Sequence, residues 1–166
     1  MSPLTIRPAR RDDVPAVVAM VHELATFERE PESCLLTEEQ LDTALFGAQS
    51  ALFAHVAVGE DDAPYGVALW FLNFSTWEGV HGIYLEDLYV RPQHRGSGAG
   101  EALVAELARI CVERGYRRID WMMLDWNPAA DFYARLGAAP SRNWWPYRLT
   151  GSALGRLAER ASADRR

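Results

Sequence analysis

Two long segments of the chain place apolar residues at the spacing of an amphipathic helix. The first runs from Val14 to Ala25 and the second from Glu101 to Arg114, with apolar residues recurring three or four positions apart. The pair Asp12-Asp13 offers an N-cap for the first helix, and Gly115 is placed to end the second. Each helix is therefore expected to pack one face against a core.

Two shorter helices are indicated by residues typical of helix ends. Thr37 and Gln40 have the spacing of a capping box, so a helix is expected from Thr37 to near Gly47. Pro128 to Leu136 is expected to form a short helix, because proline is favoured in a first turn. The tail from Ser152 to Arg166 is expected to be helical at first.

Six further segments have the alternation or the β-branched and aromatic content of strands. They are Leu4–Arg7, Ala51–Val58, Tyr65–Asn73, Gly82–Val90, Ile119–Leu124 and Trp144–Leu149. Pro146 favours an edge position for the last of them. The order of strands and helices predicts one α/β domain over residues 1–166, with a mixed, mostly antiparallel central sheet flanked by helices.

Composition and charge narrow the functional classes. The 166 residues are 49% hydrophobic and 24% charged, a balance typical of a globular protein with a real core. The formal net charge of -6 argues against nucleic-acid binding and is compatible with a cationic substrate or with solubility alone. No segment has the length and apolar character of a membrane span and no signal peptide is recognised, so a cytoplasmic location is expected.

The cysteines and histidines show no spacing typical of a metal or redox site. Cys34 and Cys111 are far apart, and Cys111 falls on an apolar helical stripe, which predicts a buried thiol. The four histidines are equally scattered, so no metal site is expected.

Three alternate glycines follow a predicted strand and open the next helix. Gly96, Gly98 and Gly100 would let the backbone turn tightly and present its N–H groups, with the helix dipole, to an anion. A nucleotide P-loop is excluded because Glu101 and Ala102 stand where Lys and Ser or Thr are required. A dinucleotide fingerprint requires an early βαβ unit, which this chain lacks. A pyrophosphate site and a plain tight turn are both compatible with the spacing.

These glycines belong to a longer motif, Gln93 to Gly100, which directly follows Leu88-Tyr89-Val90. The segment resembles the cofactor motif of the GNAT superfamily of N-acetyltransferases, with Arg95, Gly98 and Gly100 at matching positions. The resemblance covers nearly the whole chain and is greatest to the spermidine/spermine (diamine) and thialysine acetyltransferase group. It rests there on Ile6–Ala9, Glu23–Ala25, Leu36–Glu38, Tyr84–Asp87, Trp126-Asn127 and Asp131–Ala138.

The resemblance implies a GNAT-type sheet and acetyl-CoA as the acetyl-donating cosubstrate. The backbone of Leu88, Tyr89 and Val90 would pair with the pantetheine arm, and a bulge in this strand would aim an N–H at the thioester carbonyl. Asn127 would hydrogen-bond the pantetheine, and Glu101 would face solvent. The pyrophosphate would lie in the loop formed by Arg95, Gly96, Ser97, Gly98, Ala99 and Gly100.

Acetyl transfer to an amine requires two proton transfers, and the resemblance implies a residue for each. A lysine-like amine is neutral at pH 7 only to the order of one part in a thousand, so it must lose a proton before attack. Glu86 matches the base of the resembled group, acting through water, and Tyr133 matches the acid that meets the cofactor thiolate. From the residues alone, Glu86 and Asp87 could equally be solvent-facing and Tyr133 could be core. The two acids should point to opposite faces of their strand unless a bulge rotates one.

Amine binding is expected from acids and an aromatic residue. Glu28, Trp77 and Asp87 match substrate-binding positions of the resembled enzymes, which hold a polyamine across a dimer interface, so a homodimer is implied. Ser75 stands where the polyamine enzymes have an acid. This departure favours a shorter amine that carries a carboxylate, such as thialysine or a lysine-like amino acid, over a polyamine. The segment Asn143–Tyr147 is a candidate interface or an edge strand.

Three functions are compatible with these features. The first is direct transfer of acetyl to a small primary amine in a ternary complex, since neither cysteine lies in an activated context. The second is acetylation of protein lysines or N-termini, which the acidic charge disfavours. The third is a catalytically silent acyl-CoA-binding regulatory module, which the presence of Glu86 and Tyr133 disfavours.

Overall fold

The computed structural model describes residues 4–163, with side chains as far as residue 161, and the chain forms two compact units. The first unit extends to Asn127 and the second begins at Pro128. The first contains β1 (Thr5–Pro8), α1 (Val14–Phe27), α2 (Glu38–Phe46), β2 (Phe53–Val58), β3 (Pro64–Ser75), β4 (Val80–Val90), α3 (Ala99–Arg114) and β5 (Ile119–Asp120). The second contains α4 (Ala130–Arg135) and α5 (Gly151–Ala163). The last residues of the predicted tail, 164–166, lie outside the described residues.

The strands of the first unit form one sheet in the order in which they occur along the chain, β1-β2-β3-β4-β5. The first four pair antiparallel, and β5 pairs parallel with β4. In the long hairpin of β3 and β4, Ser75 lies opposite Val80 and Gly66 lies opposite Val90. The predicted fold class, a mixed and mostly antiparallel sheet flanked by helices, is confirmed.

Helices of the first unit cover both faces of the sheet. The helices α1 and α2 pack on one face around the buried side chains of Val17 and Met20. On the other face α3 packs around Leu103 and Leu107, which are equally buried. Successive strand residues point to opposite faces of the sheet. A strand residue in the first cluster therefore faces α1 and α2, and one in the second cluster faces α3.

The structure confirms the predicted caps of α2 and α3, whereas Asp13 stands at the N-cap position of α1 but its side chain makes no capping hydrogen bond. In α2 the Thr37 hydroxyl accepts from the backbone N–H of Gln40 at 3.2 Å, and the Gln40 side chain accepts from the N–H of Thr37 at 2.9 Å. Asp13 precedes α1, and α3 ends at Gly115 in the left-handed region with φ 71°. None of the helices described between residues 4 and 163 is long and apolar enough to cross a bilayer.

Two predicted strands differ in the structure. The strand β5 covers Ile119–Asp120 rather than Ile119–Leu124, and its partners are Ile83 and Tyr84. Residues 144–149 form no strand, so that prediction is wrong for the described chain. A strand is held by hydrogen bonds to a neighbour, and this segment pairs with no strand among residues 4–163.

Both cysteines are free thiols. Cys34 is half-buried, whereas Cys111 is buried in the cluster under α3, as its helical position predicts. Burial raises the pKa of the Cys111 thiol, which keeps it protonated and weakly nucleophilic.

Candidate active site

The glycine loop between β4 and α3 adopts a backbone that favours glycine. Gly96 has φ 78° and Gly98 has φ 87°, both in the left-handed region. A β-carbon built at either position would meet no other atom within 4 Å. The torsion angles, and not crowding, therefore call for glycine here, and the space beside the loop is open to a ligand.

The start of α3 presents unpaired backbone donors beside this open space. Gly98 is the N-cap and has no side chain to bond the first N–H groups, and the first helical bond runs from Ala102 N–H to the Gly98 carbonyl at 2.9 Å. The N–H groups that precede Ala102 belong to the set that every helix start leaves without an intrahelical partner. The exposed Glu101 faces solvent, as predicted. Free donors and the helix dipole together fit a pyrophosphate.

Arg95 ties the loop to β4 and to the end of α1. Its Nε donates to the carbonyl of Val90 at 3.1 Å. Its guanidinium carbon lies 5.4 Å from the ring centroid of Phe27 and 5.7 Å from that of Tyr89. The side chain is therefore held between two rings, and the loop takes a defined position at the end of the strand.

One edge of β4 is open over the half that leads to this loop. The strand β5 pairs with β4 only at Ile83 and Tyr84. From Leu85 onward, no strand among the described residues pairs with that edge. The predicted pantetheine strand, Leu88–Val90, lies in this open half. An extended arm with amide groups could add to such an edge by backbone hydrogen bonds, as peptides do.

A β-bulge lies at Glu86, before the strand segment where it was predicted. In the ladder with β3, Leu85 lies opposite Trp70 and Asp87 lies opposite Leu69, so Glu86 has no counterpart. The pairs from Leu88 to Val90 are regular, which corrects the prediction of a bulge within them. The bulge breaks the regular alternation of faces at Glu86, which is the exception that the sequence-based expectation allowed for the two adjacent acids.

The charges of two carboxylates act on a third carboxyl group, that of Asp87, at the bulge. Asp87 is half-buried, and burial, followed by the charges of Glu86 and Glu28, raises its pKa to about 6. Burial also raises the pKa of Glu28, which follows the last residue of α1. A carboxyl with such a pKa can accept and release a proton near neutral pH. Of the predicted site residues, the structure thus brings Glu28, Glu86 and Asp87 together.

The residues on either side of Glu28 in the chain, Phe27 and Arg29, belong to a cluster of rings and guanidinium groups that the sequence did not predict. The rings of Phe27 and Trp126 have centroids 6.0 Å apart. The guanidinium carbon of Arg29 lies 4.4 Å from the Trp126 centroid, and Arg95 lies over the Phe27 ring. No local pattern marks Arg29, because the contact joins two segments nearly one hundred residues apart.

Trp77 is placed away from the acids within one chain. It lies in the turn between β3 and β4 and is 88% exposed. The strand from Val80 to Glu86 separates them by about 20 Å at the usual rise per residue. Ser75 is buried, and its hydroxyl accepts from the backbone N–H of Glu78 at 3.2 Å. The serine that replaces an acid thus stabilises the turn.

Asn127 and Tyr133 belong to different units. Asn127 is half-buried at the end of the first unit, where its N–H donates to the carbonyl of Leu124 at 3.0 Å. Tyr133 is half-buried on α4 of the second unit, with its ring centroid 5.1 Å from that of Phe132. Their assigned roles stay predictions.

A helix start that fits a pyrophosphate, next to an open strand edge, is the combination expected for an acyl-CoA, so fold and site define an acyltransferase. The chain belongs to the acetyltransferase (GNAT) family, whose model matches residues 17–138. It is an acetyl-CoA-dependent N-acetyltransferase.

The chain is also similar to two enzymes whose names state a substrate and to one protein of solved structure. The chain is 33% identical to a thialysine N-epsilon-acetyltransferase of Bos taurus, over 95% of this chain and 99% of that protein. It is 28% identical to an L-ornithine N5-acetyltransferase of Arabidopsis thaliana, over 90% and 85% of the two chains. An integron cassette protein from the mobile metagenome of V. cholerae has a TM-score of 0.78 at 28% identity, over 96% of this chain and 99% of its own.

Proposed function

We propose that this enzyme acetylates the distal primary amine of a small cationic substrate, an amino acid of the thialysine, ornithine or lysine type or a polyamine. The observation that carries the proposal is the half-buried Asp87, whose pKa is raised to about 6 by burial and by Glu86 and Glu28. An acid cluster of this kind, in which Glu28 and Asp87 are half-buried, attracts an ammonium group, because the cation relieves the repulsion among the carboxylates. Relatives that act on thialysine and ornithine support the class of amine.

The open half of β4 and the glycine loop hold the acetyl donor in this proposal. Leu88, Tyr89 and Val90 offer backbone groups to the pantetheine arm, and Asn127 adds a side-chain amide. The loop residues around Gly96 and Gly98 take the pyrophosphate. Bound there, the cosubstrate supplies an acetyl thioester. The bulge at Glu86 supports the role of a strand N–H directed at the thioester carbonyl, because bulges redirect backbone groups.

Two carboxyl groups act on the substrate amine, one by removing its proton and the other by binding its ammonium form. The exposed Glu86 takes the proton through water, which its position on the bulge supports. Asp87 holds the ammonium before the reaction, and its pKa of about 6 suits a group that gains and loses protons near neutral pH. Glu28, whose charge acts on Asp87, adds a third negative charge for the amine.

Tyr133 donates a proton to the leaving thiolate in the same proposal. It is half-buried on α4, and the family match over residues 17–138 includes it together with the residues of the first unit. That match also supports the proposal of a single N-acetyltransferase domain over residues 1–166. Transfer is direct, in a ternary complex, because the thiol of Cys111 is buried and has a raised pKa.

A homodimer completes the proposal. Trp144, Trp145 and Tyr147 are 69%, 83% and 96% exposed in the chain by itself. Exposed aromatic residues in such a cluster mark an interaction surface. A partner chain would also allow Trp77 to serve a site other than the one on its own chain. Sedimentation velocity that gives a monomer at catalytic concentrations would remove this part of the proposal.

A thiol-release assay tests the proposed function. Purified enzyme and acetyl-CoA are combined with thialysine, ornithine, lysine, spermidine, putrescine, a simple alkylamine and a lysine-containing peptide. We expect the highest kcat/KM with one of the amino acids or polyamines. Turnover of none of the free amines would refute the small-amine substrate. Far better turnover of the peptide would instead support a protein acetyltransferase, and no thiol release with any acceptor would support the silent acyl-CoA-binding module.

A further inference from the structure

Arg29 occupies a backbone position at the end of α1 that normally belongs to glycine. The N–H of Arg29 donates to the carbonyl of Thr26 at 3.1 Å, and the N–H of Glu30 donates to that of Ala25 at 2.9 Å. These two bonds form a Schellman motif, whose left-handed residue is usually glycine because a side chain is strained there. Arg29 has φ 67° at this residue. The arginine is therefore retained at a conformational cost.

The side chain of Arg29 offers a cation without a charged partner. Its guanidinium carbon lies 4.4 Å from the centroid of Trp126. In the part of the chain that the structure describes, this guanidinium forms no ion pair and no hydrogen bond, although Glu28 and Glu30 flank it in sequence. Stacking on a ring fixes the plane of the guanidinium and leaves its N–H edge available for a planar carboxylate.

The position of Arg29 relates it directly to the amine-binding acids. Glu28 is its neighbour in the chain, and the charge of Glu28 acts on Asp87 in β4. The indole that supports Arg29 also contacts Phe27, which in turn contacts Arg95 of the cofactor loop. Of the two guanidinium groups in this cluster, that of Arg95 donates to the Val90 carbonyl, so Arg29 is the cation left for a substrate. A cation next to Glu28 is complementary to a molecule with an amine at one end and a carboxylate at the other.

We propose that Arg29 binds the α-carboxylate of an amino-acid substrate whose distal amine is held by Asp87 and Glu28. This carboxylate subsite rests on the proposed function and narrows it, because it selects amino acids over polyamines of the same length. A polyamine would bring a second ammonium group against Arg29 and be repelled. Trp126 is a positioning residue in this subsite, since it acts by orienting the guanidinium.

Matched substrates test the subsite. Thialysine is compared with its decarboxylated counterpart, bis(2-aminoethyl) sulfide, and ornithine is compared with putrescine. In Arg29→Gln, we expect KM for the two amino acids to rise on the order of tenfold to a hundredfold, the usual worth of hydrogen bonds to a charged group. We expect kcat for the amino acids to change little, and KM for the diamines to fall, because the repelling cation is gone.

Two further variants separate binding from folding and from net charge. Arg29→Gly relaxes the left-handed backbone, so it should keep or raise the melting temperature while it shows the same rise in KM for amino acids. Arg117→Gln removes the same charge from an exposed arginine between α3 and β5 and should leave both substrate pairs unaffected.

Three results would overturn the subsite. Equal losses with the amino acids and the diamines in Arg29→Gln would assign the residue a general structural role. If Arg29→Gln raised only KM for acetyl-CoA, Arg29 would have a role in binding the cosubstrate instead. Absence of turnover of all four amines by the unmodified enzyme would refute the proposed function itself, and the subsite with it.

Discussion

Asp87 lies opposite Leu69 in the ladder between β3 and β4, which places its carboxyl on the α1 side of the sheet. Two residues earlier, Leu85 lies opposite Trp70 and joins the cluster under α3 on the other side. In a regular strand both residues would share one face. The extra residue, Glu86, therefore moves Asp87 to the face where Glu28 ends α1, and the acid cluster depends on this one-residue bulge.

The buried carboxyl at this bulge should reduce stability at neutral pH. The folded pKa of Asp87 is about 6, above its ordinary value of 3.8, so the folded state is penalised when the group ionises. The penalty is fully present above pH 6 and is absent below about pH 4. We predict that Asp87→Asn stabilises the protein by about 3 kcal/mol at pH 8, from about 1.4 kcal/mol per pKa unit. Urea unfolding of both proteins at pH 8 and at pH 4 measures this difference in the free energy of unfolding. An equal stabilisation at both pH values would contradict its origin in the ionisation of Asp87.

The same group should appear in the pH dependence of turnover. We predict an acidic limb in kcat/KM near pH 6 that disappears in Asp87→Asn. In Glu86→Gln the limb should move to lower pH, because the charge of Glu86 helps to raise the pKa of Asp87. The same variant should lose about a hundredfold or more in kcat if Glu86 relays the proton. A limb that stays in place in both variants would assign it to another group.

The left-handed glycine at the start of α3 should be needed for the cosubstrate more than for the amine. We predict that Gly98→Ala raises KM for acetyl-CoA several-fold and lowers stability by about 1 kcal/mol, the cost of a side chain in the left-handed region. Gly115→Ala is the matched control, since Gly115 has φ 71° at the other end of the same helix and equally open space for a β-carbon. It should show the loss of stability without the effect on acetyl-CoA.

Tyr133 should be needed for turnover but not for cosubstrate binding. We predict that Tyr133→Phe lowers kcat by about a hundredfold, the usual contribution of a general acid, while the dissociation constant of acetyl-CoA stays within about threefold. Tyr116→Phe removes a hydroxyl from a half-buried tyrosine that follows α3 outside the proposed site and serves as the control. Calorimetric titration and initial rates give the two quantities, and full activity in Tyr133→Phe would remove the residue from the mechanism.

Local signals in the sequence predicted the helices and the long strands well. The capping box of Thr37 and Gln40 is a short-range pattern, and both of its hydrogen bonds form. The glycine loop was predicted for a similar reason, because a positive φ at Gly96 and Gly98 restricts the residue type. Such features depend on neighbours within a few positions of the chain, so the sequence carries them directly.

Features that depend on distant pairing were not predicted. Residues 144–149 have the composition of a strand but form none, since a strand also needs a partner. The bulge was expected near Leu88 and lies at Glu86, because its position is set by the register with β3. The ring contact between Arg29 and Trp126 likewise joins segments far apart in sequence.

The position of the acetyl group on the product tests the central claim most directly. Enzyme, thialysine and acetyl-CoA labelled with ¹³C in the acetyl group are combined, and the product is identified by NMR and mass spectrometry. We predict one acetyl group on the distal nitrogen for each thiol released. Acetyl on the α-amine, or thiol release without an acetylated amine, would contradict the assignment of this enzyme as a distal-amine acetyltransferase.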